Sequence, residues 1–439
     1  MHSQPAVPAP GQRQYFLDWI RIFAFFVLIF YHTGMYYVTW GWHVKSPHAS
    51  DTLEPFMMLS GPWRLALLFL ISGVASAFML KKIRVGAFVR QRSVRLLLPL
   101  LFGMLVIVPP QSYFEVIEKL SYRGSYADFM RLYINGYHGF CKDGECLRLP
   151  TWNHLWFVAY LWTYTLLLAA LAKLTPAARQ ERAGAALARL LSGWRIIALP
   201  AAVLAAARFA LVDGYPATHA LLDDWYNHAV YFPLFLLGAT LATQRSFWAG
   251  LEQARWPALG LALSGWAALM IYYSIPEALA ATPEVQAWRP VLRGVYALVQ
   301  WSAIAAVCGF GHRHLQFDSP ARRYLTQAVF PVYIVHQTLI VSMAHGLKPV
   351  RLPPMLEGLI LVLLTLTISF AVVEVVRRVA LLRPLFGLPL RADHGRTPAG
   401  ANADAPVNAN TNGSENGNEN GNGNGNGSMA SQANGARAA

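Results

Sequence analysis

Ten stretches of about twenty predominantly apolar residues recur along the chain, near residues 15–38, 62–80, 94–114, 153–173, 195–213, 227–244, 256–275, 291–311, 324–346 and 355–376. Each is long enough to cross a hydrocarbon layer roughly 30 Å thick. A bilayer admits only helices or a closed barrel, because every backbone polar group must be paired internally, and runs this long and continuously apolar are helices. The pattern therefore predicts an all-α polytopic membrane protein of about ten transmembrane helices, with its membrane domain over residues 15–384. A short segment, 1–14, precedes the first run. That run lacks a small-residue cleavage site and reads as a retained signal anchor.

The polar connections set the orientation. Lys81, Lys82, Arg84, Arg90, Arg92 and Arg95 fall between the second and third runs with no acid among them, and Lys173, Arg179, Arg182, Arg189 and Arg195 dominate the next such connection. Alternate loops are balanced or acidic, as with Asp213, Asp223 and Asp224. The positive-inside bias then puts both termini in the cytoplasm. Composition sharpens the picture. The 439 residues are 55% hydrophobic and 13% charged, about half the charge of a soluble domain, which argues against a soluble enzyme. The net charge of +14 resides largely in these loops and calls for no nucleic-acid partner. Residues 385–439, with their long Asn/Gly run, have no apolar periodicity and read as a disordered cytoplasmic tail.

Three cysteines are too few for a disulfide framework or a Cys-based zinc site. No His-Glu-x-x-His or paired-Cys pattern indicates a metal. Cys308 sits inside an apolar run as a small core residue. Cys141 and Cys146 fall on the outer side, where four intervening residues permit a bridge that spacing alone cannot establish.

The first run carries three ionisable residues, Asp18, Arg21 and His32. Eleven positions separate Arg21 from His32, about 1100° of turn, so the two share a helix face within about 20°. Asp18 lies three positions before Arg21 and can pair with it. His32 sits roughly 25 Å along the helix, past the midplane. Ionisable groups at that depth face a bundle interior or a wet cavity. Two readings follow: Asp18 and Arg21 anchor the interface while His32 is a structural histidine, or the three form part of a site.

The Arg21-x10-His32 spacing resembles the signature of the acyltransferase-3 family of integral membrane acyltransferases. Phe69-Leu-Ile-Ser72-Gly73, the basic run through Arg90, Arg92 and Arg95 to Pro99, His154-Leu-Trp156-Phe157 and Tyr333-Ile-Val-His336 are similar to its further motifs, in order, over residues 14 to 380. Gln14-Tyr-Phe-Leu-Asp18 and Trp42-His43-Val44-Lys45-Ser46 resemble its branch of periplasmic-glucan succinyltransferases. One segment departs. Many members carry an acidic residue just before the Phe-x-x-Ser-Gly motif, where this chain reads Arg64-Leu-Ala-Leu-Leu.

The resemblance implies transfer of an acyl group, acetyl or succinyl, from cytosolic acyl-CoA to a hydroxyl of an extracytoplasmic glycan at a bacterial inner membrane. The acceptor would be a periplasmic glucan, a lipopolysaccharide or an exopolysaccharide. Acyl-CoA would be a donor substrate, with no permanently bound cofactor. Attack on a thioester needs removal of the hydroxyl proton and stabilisation of an oxyanion, which makes His32 the candidate base. An acyl-histidine relay is the variant. Arg21 would orient the donor with Asp18 holding its rotamer. Arg90, Arg92 and Arg95 either bind CoA phosphates or only set topology. His336 overlaps His32 in depth. Tyr333 either donates to the oxyanion or belongs to an aromatic face. His154 and Trp156 open the fourth run, where Trp156 is a membrane-belt anchor or a platform for a sugar ring. Ser72-Gly73 reads as a close helix contact, not a nucleophile. A secondary transporter relaying protons through His32, Arg21 and His336 is the alternative. It would be expected to show repeats and paired broken helices, which this chain lacks.

Overall fold

The computed structural model describes residues 14–390. The segment before Gln14 and nearly all of the Asn/Gly-rich tail lie outside the described residues. The chain is an all-α polytopic membrane protein, with a helix at each of the ten expected places. Among the described residues, seven helical stretches are individually long and apolar enough to span: Tyr15–Tyr37, Asp51–Leu80, Val85–Leu120, Asn153–Leu174, Pro283–His314, Pro320–Val350 and Pro354–Arg378. By length and composition alone, seven of the ten expected runs meet this test, or eight if the bent pair Ala177–Leu190 and Arg195–Leu211 is one span, and the others differ for local reasons. Arg195–Leu211 and Trp225–Leu241 have 17 residues each, about 26 Å of helix against a layer of roughly 30 Å. Arg195–Leu211 is also bent by 104° from the preceding Ala177–Leu190. Arg245–Tyr273 is long, and its charges Arg245, Glu252 and Arg255 are confined to the first half, leaving an uncharged stretch from Trp256 to Tyr273.

Two expected boundaries move. The basic residues Arg90, Arg92 and Arg95 belong to helix Val85–Phe102, so the connection from helix Arg64–Leu80 is only four residues. Pro99 interrupts the hydrogen-bond ladder of that helix. A widened turn, Gly103–Ile107, follows, and Pro109 restarts a helix to Leu120. At the C-terminal end, residues 385–388, expected to begin the disordered tail, are packed. Phe386 and Leu388 are buried, and Phe386 meets the ring of Phe102 edge-on at 5.4 Å.

Apolar side chains line both the core and the outside, as a lipid-facing surface requires. In Pro354–Arg378, Leu361 and Val373 are buried while Leu359, Leu363 and Leu364 are exposed. Helices in a bilayer associate through close packing, and Arg64–Leu80 against Trp225–Leu241 shows why small residues are needed. A Cβ on Gly73 would collide with the carbonyl oxygen of Phe235, and one on Gly238 with that of Leu70. The helix-contact reading of Ser72-Gly73 is the observed one.

Between Leu120 and Trp152 the chain forms a small cap whose core is Phe129, Tyr133, Phe140 and Leu149. It contains helix Tyr126–Ile134 and a hairpin pairing Cys141 with Cys146 across Asp143-Gly144. Both turn residues have positive φ, as a two-residue hairpin turn demands. Cys141 and Cys146 form a disulfide.

Candidate active site

His32, His154, Trp156 and Tyr333 converge on one cavity of about 500 Å³. The first helix, Tyr15–Tyr37, contributes Tyr31, His32 and Met35, and helix Pro320–Leu347 contributes Tyr333 and Gln337. Loops before and after the cap, and the loop carrying Thr218 and His219, complete the wall.

Hydrogen bonding fixes the tautomers of the central pair. His336 is fully buried, and its Nδ1 lies 2.7 Å from the Tyr333 carbonyl oxygen. A carbonyl only accepts, so Nδ1 carries the proton and neutral His336 presents a bare Nε2. That nitrogen lies 2.8 Å from Nδ1 of His32. His32 therefore donates through Nδ1, and its lone pair is left on Nε2. His32 borders the cavity and His336 stands behind it, the two rings stacked at 5.0 Å.

His154 and Tyr333 brace this pair. The Tyr333 hydroxyl donates to the His154 carbonyl at 2.5 Å, and His154 Nε2 donates to the Ile334 carbonyl at 3.1 Å. The single hydroxyl proton of Tyr333 is thus committed, which removes it as an oxyanion donor in this geometry. Trp156 is buried and stacked at 4.5 Å on His219, so it is a cavity wall rather than a belt anchor. The loop holding His219 is tied down by Asp224, fully buried, which accepts from the Tyr160 hydroxyl at 2.5 Å, Asn227 Nδ2 at 2.8 Å and the His219 amide at 3.0 Å. His219 is itself exposed, and desolvation on the side packed against Trp156 holds it below the ordinary histidine range.

Asp18, Arg21, Arg90, Arg92 and Arg95 do not border this cavity. Arg21 is eleven residues from His32, about 16 Å along the helix. Asp18 accepts from Arg21 at 3.1 Å and from the buried Arg322. Arg322 also holds Asp318 at 2.7 Å and lies over the Tyr15 ring at 4.7 Å. Arg92 reaches Ser76 Oγ at 3.4 Å and Thr165 Oγ1 at 3.5 Å, and it lies close enough to feel the charges of Arg95 and Arg21. Arg90 is exposed. The structure thus assembles the histidines at one end of the first helix and a guanidinium cluster toward the other.

Sequence reasoning missed part of the wall. His43 Nδ1 donates to Glu115 at 2.6 Å, Lys119 pairs with Glu115 at 2.5 Å, and Gln337 Nε2 donates to His43 Nε2 at 3.0 Å. Glu115 lies one residue past the expected end of the third run. It reaches the cavity because the helix continues to Leu120. Arg64, noted only as a departure, borders the same cavity. Nearby, Lys45 closes the end of the first helix by donating to Met35 O at 2.7 Å and Val38 O at 2.5 Å, and burial pushes its ammonium down to about 8.

A family model described as an acyltransferase domain matches residues 14–374. Among curated proteins, the chain is 26% identical over 392 residues to glucans biosynthesis protein C of Salmonella typhimurium (strain LT2), Salmonella typhi and Salmonella agona. Each alignment covers 87% of this chain and 96% of the relative. No solved structure matches.

Proposed function

The chain belongs to the acyltransferase-3 family and is a membrane acyltransferase, and we propose that it moves an acetyl or succinyl group from cytosolic acyl-CoA to a hydroxyl of an extracytoplasmic glycan, with His32 as general base. The observation that carries this reading is the Tyr333 carbonyl–His336–His32 chain, which leaves an unprotonated nitrogen on the one histidine of the pair that borders the cavity. An acceptor hydroxyl held at His32 Nε2 loses its proton there as its oxygen attacks the thioester carbonyl carbon. The new C–O bond forms, the C–S bond breaks, and the proton leaves His32 with the departing thiolate. His336 touches no substrate in this scheme; it positions His32 and shares the charge of the imidazolium. Arg21, Arg92 and Arg95, with Arg90 at the rim, hold the CoA phosphates. That its relatives are glucans biosynthesis proteins supports a glucan as acceptor class.

The test uses protein purified in nanodiscs, acetyl- and succinyl-CoA, and glucan oligosaccharides, following thiol release and glycan mass. His32→Ala is expected to lower kcat by about 10²–10⁴-fold. Transfer at the wild-type rate by a correctly inserted His32→Ala protein would sink the assignment of the base. Absence of thiol release from either donor by the wild type would sink the donor.

A further inference from the structure

Arg64 is the first residue of helix Arg64–Leu80 and borders the same cavity as His32. It is 7% exposed. Its Nη1 donates to the Gly61 carbonyl at 3.1 Å, and its Nε is buried with no partner. Among the described residues it enters no ion pair with a carboxylate, and the one acid in the cavity wall, Glu115, is engaged by His43 and Lys119. What Arg64 has is a ring face: its Cζ lies 3.2 Å from the centre of Tyr31. A buried cation without a counter-charge is costly, and a tyrosine face offsets only part of that cost. Stacking occupies the flat face of the guanidinium and leaves its edge, the fork that takes a carboxylate through two N–H groups, for another partner.

The position of that edge indicates the ligand. The Tyr31 ring centre is 6.1 Å from that of His32 and 3.2 Å from Arg64 Cζ, so Arg64 Cζ is no more than about 9 Å from the His32 ring. The two ends of a four-carbon dicarboxylic acyl group are three C–C bonds apart, about 4 Å. A thioester carbonyl beside His32 thus has its distal carboxylate within reach of Arg64. Depth agrees. A donor whose phosphates rest on the Arg21–Arg92 cluster would be held eleven residues from His32 on the first helix and, at Ser76, twelve residues from Arg64 on the next, about 16 and 18 Å of helix.

Resting on the acyl-CoA reading above, we infer that Arg64 is a specificity-determining residue that receives the terminal carboxylate of a dicarboxylic acyl donor. It stands in the cavity wall beyond the base and selects such donors over uncharged acyl groups. The test compares wild type, Arg64→Gln and Arg64→Lys in nanodiscs with an uncharged glucan oligosaccharide as acceptor, so that the only carboxylate comes from the donor. Initial rates of thiol release give kcat/KM for succinyl-CoA and acetyl-CoA separately. Arg64→Gln is expected to lower the succinyl-to-acetyl ratio at least about 30-fold, chiefly through the KM for succinyl-CoA. Arg64→Lys, which keeps the charge but not the fork, lowers it less, and serves should the glutamine variant fail to insert. A ratio in the tested variant within about threefold of wild type overturns the inference. That includes the case where both donors slow together, as they would if Arg64 served the oxyanion or the fold. A wild type that releases thiol from neither donor overturns the acyl-CoA reading itself, and this inference with it.

Discussion

Replacing His336 by Phe keeps a ring of similar size in a fully buried position and removes the nitrogen that accepts from His32 at 2.8 Å. In the resting enzyme this is a neutral hydrogen bond, contributing about 0.5–1.5 kcal/mol. When His32 takes the acceptor's proton, the same bond becomes charge-assisted, contributing about 1.5–3 kcal/mol. Only the increment is specific to the transition state. It amounts to about 1–2 kcal/mol, or roughly 5–30-fold in kcat, with donor KM unchanged. Because His336 acts through His32, the double variant His32→Ala/His336→Phe should be no slower than His32→Ala alone, a non-additivity expected of residues that work as a unit. The assay is steady-state thiol release in nanodiscs, after gel filtration and far-UV circular dichroism establish that each variant is folded. Wild-type kcat in His336→Phe, or an additive double variant, would refute the relay.

Three further outcomes follow from neighbouring features. Arg92→Gln removes one charged donor from the Arg21–Arg92–Arg95 cluster, and a hydrogen bond to a charged group contributes about 1.5–3 kcal/mol. The KM for acyl-CoA should rise tenfold or more with kcat held, and an unchanged inhibition constant for free CoA would count against the cluster as the phosphate site. Tyr333→Phe leaves the buried carbonyl of His154 without its 2.5 Å partner and should destabilise the protein by about 1–3 kcal/mol. Thermal unfolding in detergent checks this, and an unchanged midpoint would show that the bond is dispensable. His219, exposed but partly desolvated where it packs against Trp156, is held below the ordinary histidine pKa of about 6.5 and binds a proton less readily than it does in the unfolded chain. Its contribution to stability is present above that value and is lost as pH falls below it. Apparent Tm should drop from pH 6.5 toward 5, and His219→Phe should make the drop shallower; an identical slope would show that other groups control it.

The membrane architecture and the histidine pair were legible in the sequence because each rests on a strong local rule. Apolar runs must be helices in hydrocarbon, and a histidine inside one must face the interior. Helix geometry even placed His32 and His336 at overlapping depth. Other features escaped for physical reasons. The expected boundary at residue 114 followed hydropathy, whereas the helix continues to Leu120 because its polar residues face a cavity rather than lipid. That continuation carries Glu115 into the site. Asp18 was expected to serve Arg21. Its second partner, Arg322, comes from a helix some 300 residues away, and no local pattern encodes such a contact. The role of Trp156 turned on a loop, and the conformation of that loop depends on the buried carboxylate of Asp224.

The paired glycines at 73 and 238 have a consequence for how this enzyme can diverge. Main chain against main chain locates the helix that begins at Arg64, and no side-chain rotamer is involved in that contact. What stands at the head of the helix can therefore change while the scaffold keeps its dimensions. A single codon at position 64 is enough to present a cation, an acid or a neutral group to the same chamber, with the base and its partner undisturbed. If Arg64 receives the donor's carboxylate as inferred above, descendants of one ancestral enzyme could come to prefer different donors through this one position.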